Sequence, residues 1–168
     1  MNNKGKVLYL VRHAKSSWKD VSLSDMDRPL NKRGRRDSPE MGKRMLERGH
    51  IPDLIISSPA NRAHSTSKNI ARELGINETE IETDKNLYFS GAEGMLKVLE
   101  KVDDRYRKVM MTGHNPTMTY LMNRLANSEV FNMPTCAVAI ISFDMLSWAD
   151  VYSTDGVLLG YDFPKNKC

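Results

Sequence analysis

Cysteine is almost missing from this chain: Cys136 and Cys168 are the only two in 168 residues. Neither has a CxxC neighbour or a histidine at metal-ligand spacing, which argues against a disulfide framework and a cysteine-built zinc site. Cys136 reads as a buried thiol and Cys168 as part of a frayed end, and so few cysteines fit a reducing cytoplasm. The four scattered histidines make no metal site either. Aromatic residues are only 7% of the chain. That is too few to interleave with a basic stripe as nucleic-acid binders do. No apolar run approaches membrane-spanning length, and the first six residues enter a strand without a leader's apolar segment. The expectation is a cytoplasmic protein with no nucleic-acid and no membrane partner. The net charge of +4 is mild and comes largely from Lys32–Arg36 and Lys165–Lys167. It reads as a solvated helix start and an attraction for anionic substrates.

What the chain does have is a motif repeated three times. Val7-Leu-Tyr-Leu-Val11 runs into Arg12-His13; Asp53-Leu-Ile-Ile-Ser57 runs into Ser58-Pro59-Ala60-Asn61-Arg62; Lys108-Val-Met-Met-Thr112 runs into Gly113-His114-Asn115-Pro116. Each is an apolar strand candidate whose far end releases a cation or an imidazole.

Helical segments separate them. Asn31 reads as the N-cap of a helix from Lys32 to Arg48, which Ser38-Pro39 should kink or divide. A second helix is expected from Ser58 to Leu74 with Pro59 at its first position, and a third from Ala92 to Val102 after a loop at Asp84–Ser90. Asn115-Pro116 repeats the cap-and-proline signal for a helix to Ala126. A short strand is expected at Ile81–Thr83. The last third reads as strands at Ala137–Phe143, Ala149–Ser153 and Val157–Tyr161, the last two joined by a Thr154-Asp155-Gly156 turn. Strands alternating with helices predict one α/β domain over residues 1–168, a three-layer αβα sandwich with a mostly parallel sheet and a terminal antiparallel hairpin.

Ligands of open α/β sheets bind beyond the carboxyl ends of the strands. Arg12, His13, Arg62 and His114 delivered to one edge would make an anion pocket with an imidazole inside. Arginine's planar fork suits phosphoryl oxygens. Amides at the helix starts near Ser58 and Asn115 are expected to face the same anion. His13, if neutral and held through its second nitrogen, could attack phosphorus, and His114 could donate to a phosphoryl oxygen.

These residues resemble a known family. Leu10-Val-Arg-His-Ala14, Ser57-Ser-Pro-Ala-Asn-Arg-Ala63 and Thr112-Gly-His-Asn115 are similar, in order, to the motifs of the histidine phosphatase superfamily, also called phosphoglycerate mutase-like. Asp27-Arg-Pro-Leu30, Asn132-Met-Pro-Thr-Cys-Ala137 and the compact length resemble its SixA-type phosphohistidine phosphatase branch. The resemblance implies His13 as phosphoacceptor, with Arg12, Arg62 and His114 as the phosphate pocket. It also implies no metal or other cofactor, inorganic phosphate as product and a place in signal transduction.

One departure is informative. Superfamily phosphomonoesterases and mutases carry a carboxylic acid that protonates the leaving oxygen, but Asn115 follows His114 and Asn86–Ser90 has no carboxylate. An imidazole, with a pKa of about 6.5, leaves without that help far more readily than an alkoxide. The expected substrate is therefore protein phosphohistidine, cleaved through a phospho-His13 intermediate. Two alternatives stay open. One is a small-molecule phosphomonoesterase with Glu93 or Asp84 as acid; the other is a non-catalytic module that binds phosphate or phosphoprotein. Ser16 and Arg28 are further candidates for substrate binding, although Arg28 could instead pair with Asp25 or Asp27. Trp18 walls the entrance or covers the core, His50 and His64 read as surface, and Met110, Met111, Met118 and Met122 read as core.

Overall fold

The computed structural model describes residues 5–167; Cys168 lies outside them. Its centre is β1 (Lys6–Arg12), whose side chains alternate between two buried layers. Leu8 and Leu10 face one core, Tyr9 and Val11 the other, as the two-residue period of a strand requires. A strand covered on both faces must be apolar throughout, which is why Val7–Val11 reads as an unbroken hydrophobic run.

The remaining strands are β2 (Leu54–Ser57), β3 (Glu82–Thr83), β4 (Lys108–Gly113), β5 (Val138–Phe143) and β6 (Gly156–Asp162), in the spatial order β3-β2-β4-β1-β5-β6. Neighbours from β3 to β1 are parallel, whereas β5 is antiparallel to both β1 and β6. Helices α1 (Lys32–Glu47) and α2 (Asn61–Glu73) supply Met41, Met45, Ile70 and Ala71 to the core on one face. On the other face, α3 (Asn86–Phe89), α4 (Gly91–Glu100) and α5 (Thr117–Ala126) pack Leu96, Leu99, Leu121 and Met122 around Trp148. This is the expected three-layer αβα sandwich. Met110, Met111, Met118 and Met122 are all fully buried, and so is the Cys136 thiol. No helix among the described residues is long and apolar enough to cross a membrane.

Four local expectations are corrected. Ala149–Ser153 is not a strand: Ser147 caps a 3-10 turn at Trp148–Asp150, and the Trp148 indole is buried, donating to Tyr106 O at 2.7 Å. Burying that ring is incompatible with an extended edge, so β6 pairs with β5 directly. Pro39 does not divide α1. Ser38 Oγ donates to Gly34 O at 2.8 Å and accepts from Asn69 Nδ2 at 2.9 Å, tying the turn before the proline to α2. The second helix begins at Asn61 and not at Ser58, because Ser58 N still pairs with Thr112 O and its hydroxyl accepts from Ala60 N. The loop at Asp84–Ser90 contains the helical turn α3, opened by Asp84 Oδ1 accepting from Asn86 N.

Asn31 caps α1 as expected, accepting from Gly34 N at 2.9 Å, and its own amide donates to Lys15 O. The helix start is thereby pinned to the segment that follows β1. A Cβ on Gly34 would stand 2.2 Å from that same Lys15 carbonyl oxygen. In an open helix, glycine to alanine gains about 1 kcal/mol. Gly34→Ala should instead lower the unfolding free energy, by about 1–3 kcal/mol, since overpacking forces backbone apart. Urea denaturation of the two proteins measures it.

Candidate active site

The site is assembled by the pairing of β1 with β4 and of β4 with β2. Arg12 lies opposite Gly113, and the ladder continues past the strand ends: His13 N donates to Gly113 O at 3.0 Å, and Ser58 N to Thr112 O at 2.9 Å. His13, Ser58 and His114 therefore emerge together at the carboxyl edge. The His13 and His114 ring centroids are 5.1 Å apart. From the other side, Ala14 N donates to Thr66 Oγ1, on α2 one turn beyond Arg62. The structure thus brings together all four residues singled out by their positions at the strand ends.

His13 Nδ1 lies 2.7 Å from Ala14 O. A carbonyl only accepts, so Nδ1 carries the proton and Nε2 holds the lone pair in the neutral ring. Burial pushes the His13 pKa down to about 3; the Ala14 bond opposes this, and the charges of His114, Arg62 and Arg12 reinforce it. His114 is driven down to about 4, first by burial and then by Arg62, with Asp25 acting the other way. Both rings are neutral at physiological pH. His114 Nε2 is 2.7 Å from Ser58 Oγ. The contact fits either tautomer: a donating hydroxyl would leave the proton on Nδ1, an accepting one would take it from Nε2.

Among the described residues, three buried side-chain nitrogens have no hydrogen-bond partner in the protein: Arg12 Nε, Arg62 Nε and His114 Nδ1. All three belong to this cluster. An orphaned buried donor costs about 1–3 kcal/mol. The two arginine Nε–H groups are such donors, and an anion's acceptor oxygens would satisfy them. One outer nitrogen of Arg12 and both of Arg62 are anchored. Arg12 Nη1 donates to Met133 O at 2.7 Å, in the Asn132–Ala137 segment, and Asn115 Nδ2 donates to the same carbonyl. Of the amides at the helix starts, Ala60 N is held by Ser58 Oγ, Met118 N by His114 O and Thr119 N by Asn115 Oδ1. No group of three or more potential metal-binding side chains occurs among the described residues.

Asp25 is the residue that sequence reasoning undervalued. Its Oδ2 accepts from Arg62 Nη2 at 2.9 Å and from the Tyr88 hydroxyl at 2.6 Å, and its backbone oxygen accepts from Arg62 Nη1 at 2.6 Å. Oδ1 takes Arg28 Nε and Nη2, both at 3.1 Å. The Tyr88 bond and then the two arginines hold this carboxyl well below the usual carboxylate range. Asp27 Oδ2 instead accepts from the hydroxyl of Ser24, which caps the short helical turn Asp25–Asp27. That settles which aspartate Arg28 pairs with. The Arg28 guanidinium also donates to Ser16 Oγ at 2.8 Å and stacks 3.5 Å over Trp18, a side chain left 70% exposed. Ser16 and Arg28 are thus joined to the cluster through Asp25, and Trp18 belongs to the rim and not to the core. His50 is half-buried against Tyr9, and His64 half-buried on α2, so neither is plain surface.

The two carboxylates considered as acids are otherwise engaged. Glu93 on α4 is bonded to Arg124 on α5, and Asp84 Oδ1 accepts from Asn86 N at the start of α3.

Two arginines and two neutral imidazoles thus meet at the sheet edge, and the chain belongs to the histidine phosphatase superfamily: the profile of its branch 1 matches residues 8–88. The fold is similar to that of a candidate SixA phosphohistidine phosphatase from Agrobacterium tumefaciens, with a TM-score of 0.81 and 27% identity, covering 95% of this chain and 98% of the other. An uncharacterised chloroplastic protein of Arabidopsis thaliana is 30% identical over 157 residues, 89% of this chain and 72% of that one. A 2,3-bisphosphoglycerate-dependent phosphoglycerate mutase of Rhodopseudomonas palustris is 33% identical over 103 residues, 60% of this chain but only 49% of its own.

Because both imidazoles have folded pKa values below the 6.5 of the open chain, the unfolded state binds more protons as pH falls. Stability should therefore drop from about pH 6.5 down through about 4 for His114 and about 3 for His13, by about 1.4 kcal/mol per pH unit for each group. Urea titrations at pH 7 and 4.5 should show this loss, and a His13→Asn, His114→Asn protein should show much less. Imidazole 15N spectra at pH 6 should report neutral His13 with its proton on Nδ1.

Proposed function

We propose that the protein is a phosphohistidine phosphatase working through a phospho-His13 intermediate. One observation carries the reading. A neutral imidazole with Nε2 unprotonated sits among two orphaned arginine donors and the unpartnered His114 Nδ1, and the carboxylate bonded into that cluster, Asp25, is held in its ionised form. The arginine donors favour phosphoryl oxygens and repel a cation. The likeness to a SixA-type fold supports the same substrate class.

The steps follow from the atoms. His13 Nε2 donates its electron pair to phosphorus while the bond from phosphorus to the substrate imidazole breaks. That bond's electron pair leaves with the substrate nitrogen, which takes a proton from solvent. Arg12, Arg62 and His114 gather the charge on the three non-bridging oxygens as it builds. Water then attacks phosphorus, the bond to Nε2 breaks, and inorganic phosphate and neutral His13 are regenerated. An ionised Asp25 cannot protonate an alkoxide, and Glu93 is tied to Arg124. Both points support P–N cleavage over hydrolysis of sugar or glycerate esters. A module that only bound phosphate would have no use for a neutral ring with a free Nε2.

Turnover of a phosphohistidine protein, p-nitrophenyl phosphate and a sugar phosphate should rank in that order. His13→Ala should lower all rates by at least about 10³-fold, the scale of losing a nucleophile. A preference for the sugar phosphate, or full activity of His13→Ala, would overturn the reading. Arg62→Ala should mainly weaken phosphate and transition-state binding.

A further inference from the structure

The basic run at the start of α1 has a destination. A cavity of about 390 Å³ opens beside the catalytic cluster and shares Arg12 with it; its other cations are Lys15, Arg33, Arg36 and Lys165. It continues into a second cavity of about 620 Å³ through Arg36 and Lys165, which adds Lys43, Arg44 and Lys167. Eight cations thus line the two cavities, against Asp37 and Glu40 as the acidic lining. Even with Asp162 counted behind Arg44, the excess is larger than the net charge of +4 of the whole chain. The mild basicity of the sequence is therefore concentrated here, and the remainder of the chain is close to neutral.

The trough is built and not merely a fringe of surface lysines. Asp37 is only 6% exposed. It holds Arg36 through two bonds, Nε at 3.0 Å and Nη2 at 2.9 Å, and Arg33 at 3.9 Å. Arg33 Nη2 also donates to Thr135 Oγ1 at 3.3 Å, in the segment that anchors Arg12. Pro134, Phe163 and Pro164 form an apolar floor. Lys15, Lys43, Lys165 and Lys167 make no ion pair among the described residues.

We propose that this trough receives acidic side chains flanking the phosphorylated residue of a phosphoprotein. The inference rests on the phosphohistidine reading and names its substrate more closely. Arg12 lines the head of the trough and precedes His13 in the chain, so the trough begins beside the reacting imidazole. On a substrate helix, the positions three and four residues from the phosphohistidine stand about 5–6 Å away on the same face, the separation such a site requires. The length of the trough favours a protein over a small phosphate ester: a sugar phosphate seated at His13 would fill the Arg12 end and leave Lys43 and Lys167 unused.

The test compares two synthetic phosphohistidine peptides, one with Asp and Glu at three and four residues from the phosphohistidine, the other with Asn and Gln there. p-Nitrophenyl phosphate serves as internal control. The wild type should prefer the acidic peptide by about ten-fold in kcat/KM, and 0.3 M NaCl should erode that preference. A triple variant Arg33→Gln, Lys43→Gln, Lys165→Gln should lose the preference while keeping its rate on p-nitrophenyl phosphate. These are solvent-accessible side chains, and an unchanged Tm confirms the fold. Equal rates on both peptides in the wild type, or an undiminished preference in the variant, overturn the inference alone. Turnover of p-nitrophenyl phosphate with neither peptide cleaved overturns the phosphohistidine reading, and the inference with it.

Discussion

The pairing of β1 with β4 is the constraint on which the site depends. Arg12 faces Gly113 in the ladder, and one further bond, from His13 N to Gly113 O, carries the pairing beyond the last strand residue. That bond fixes where two imidazoles from distant parts of the chain stand relative to each other. A slip of one residue would turn Leu8 and Leu10 out of their core and Tyr9 and Val11 out of theirs. Alignment of the two imidazoles and core packing are therefore enforced by the same register, and Gly113 leaves room for Met118 Sδ where a Cβ would stand 3.1 Å away.

Burial then sets the chemistry. Two histidines beside two guanidinium groups could have been protonated only at high cost, so both remain neutral, and the Ala14 carbonyl decides which nitrogen of His13 keeps its proton. The positive charge beside the two rings comes from guanidinium groups, Arg12 and Arg62 foremost. Arg12 Nη1 is tied to Met133 O and both outer nitrogens of Arg62 to Asp25, while the two Nε–H groups find no acceptor in the protein. The anchored nitrogens set the orientation of the two guanidinium groups.

Residues 16–30 connect this pocket to the surface. Asp25 gathers Arg62, Arg28 and Tyr88, and Arg28 carries the link on to Ser16 and Trp18. Removal of the Asp25 carboxylate would leave two buried guanidinium groups facing each other, which gives the loop a structural reason to hold one shape. On the opposite side of Arg12, the Asp37 carboxylate plays a comparable part for Arg33 and Arg36. The pocket thus lies between two cation clusters, each organised by a single aspartate.

The linear sequence by itself determined the strands and most helices, because a doubly buried strand must be continuously apolar and a capped helix must announce its cap, as Asn31 does. It also determined the four residues at the strand ends, since topology sends parallel strand ends to one edge. Tertiary structure alone decided the rest. Ala149–Ser153 has the composition of a strand, but burying Trp148 against Tyr106 overrode it, and Pro39 stayed within α1 because Ser38 and Asn69 support that turn. Asp25 and Tyr88 are 63 residues apart and meet only once the sheet has formed. The basic run at Lys32–Arg36 is indistinguishable along the chain from a solvated helix start. Only the packing of α1 beside Arg12, the Asn132–Ala137 segment and the chain end at Phe163–Lys165 turns it into one wall of a trough. Periodicity and local hydrogen bonding are encoded within a few residues; charge clusters built from remote segments are not.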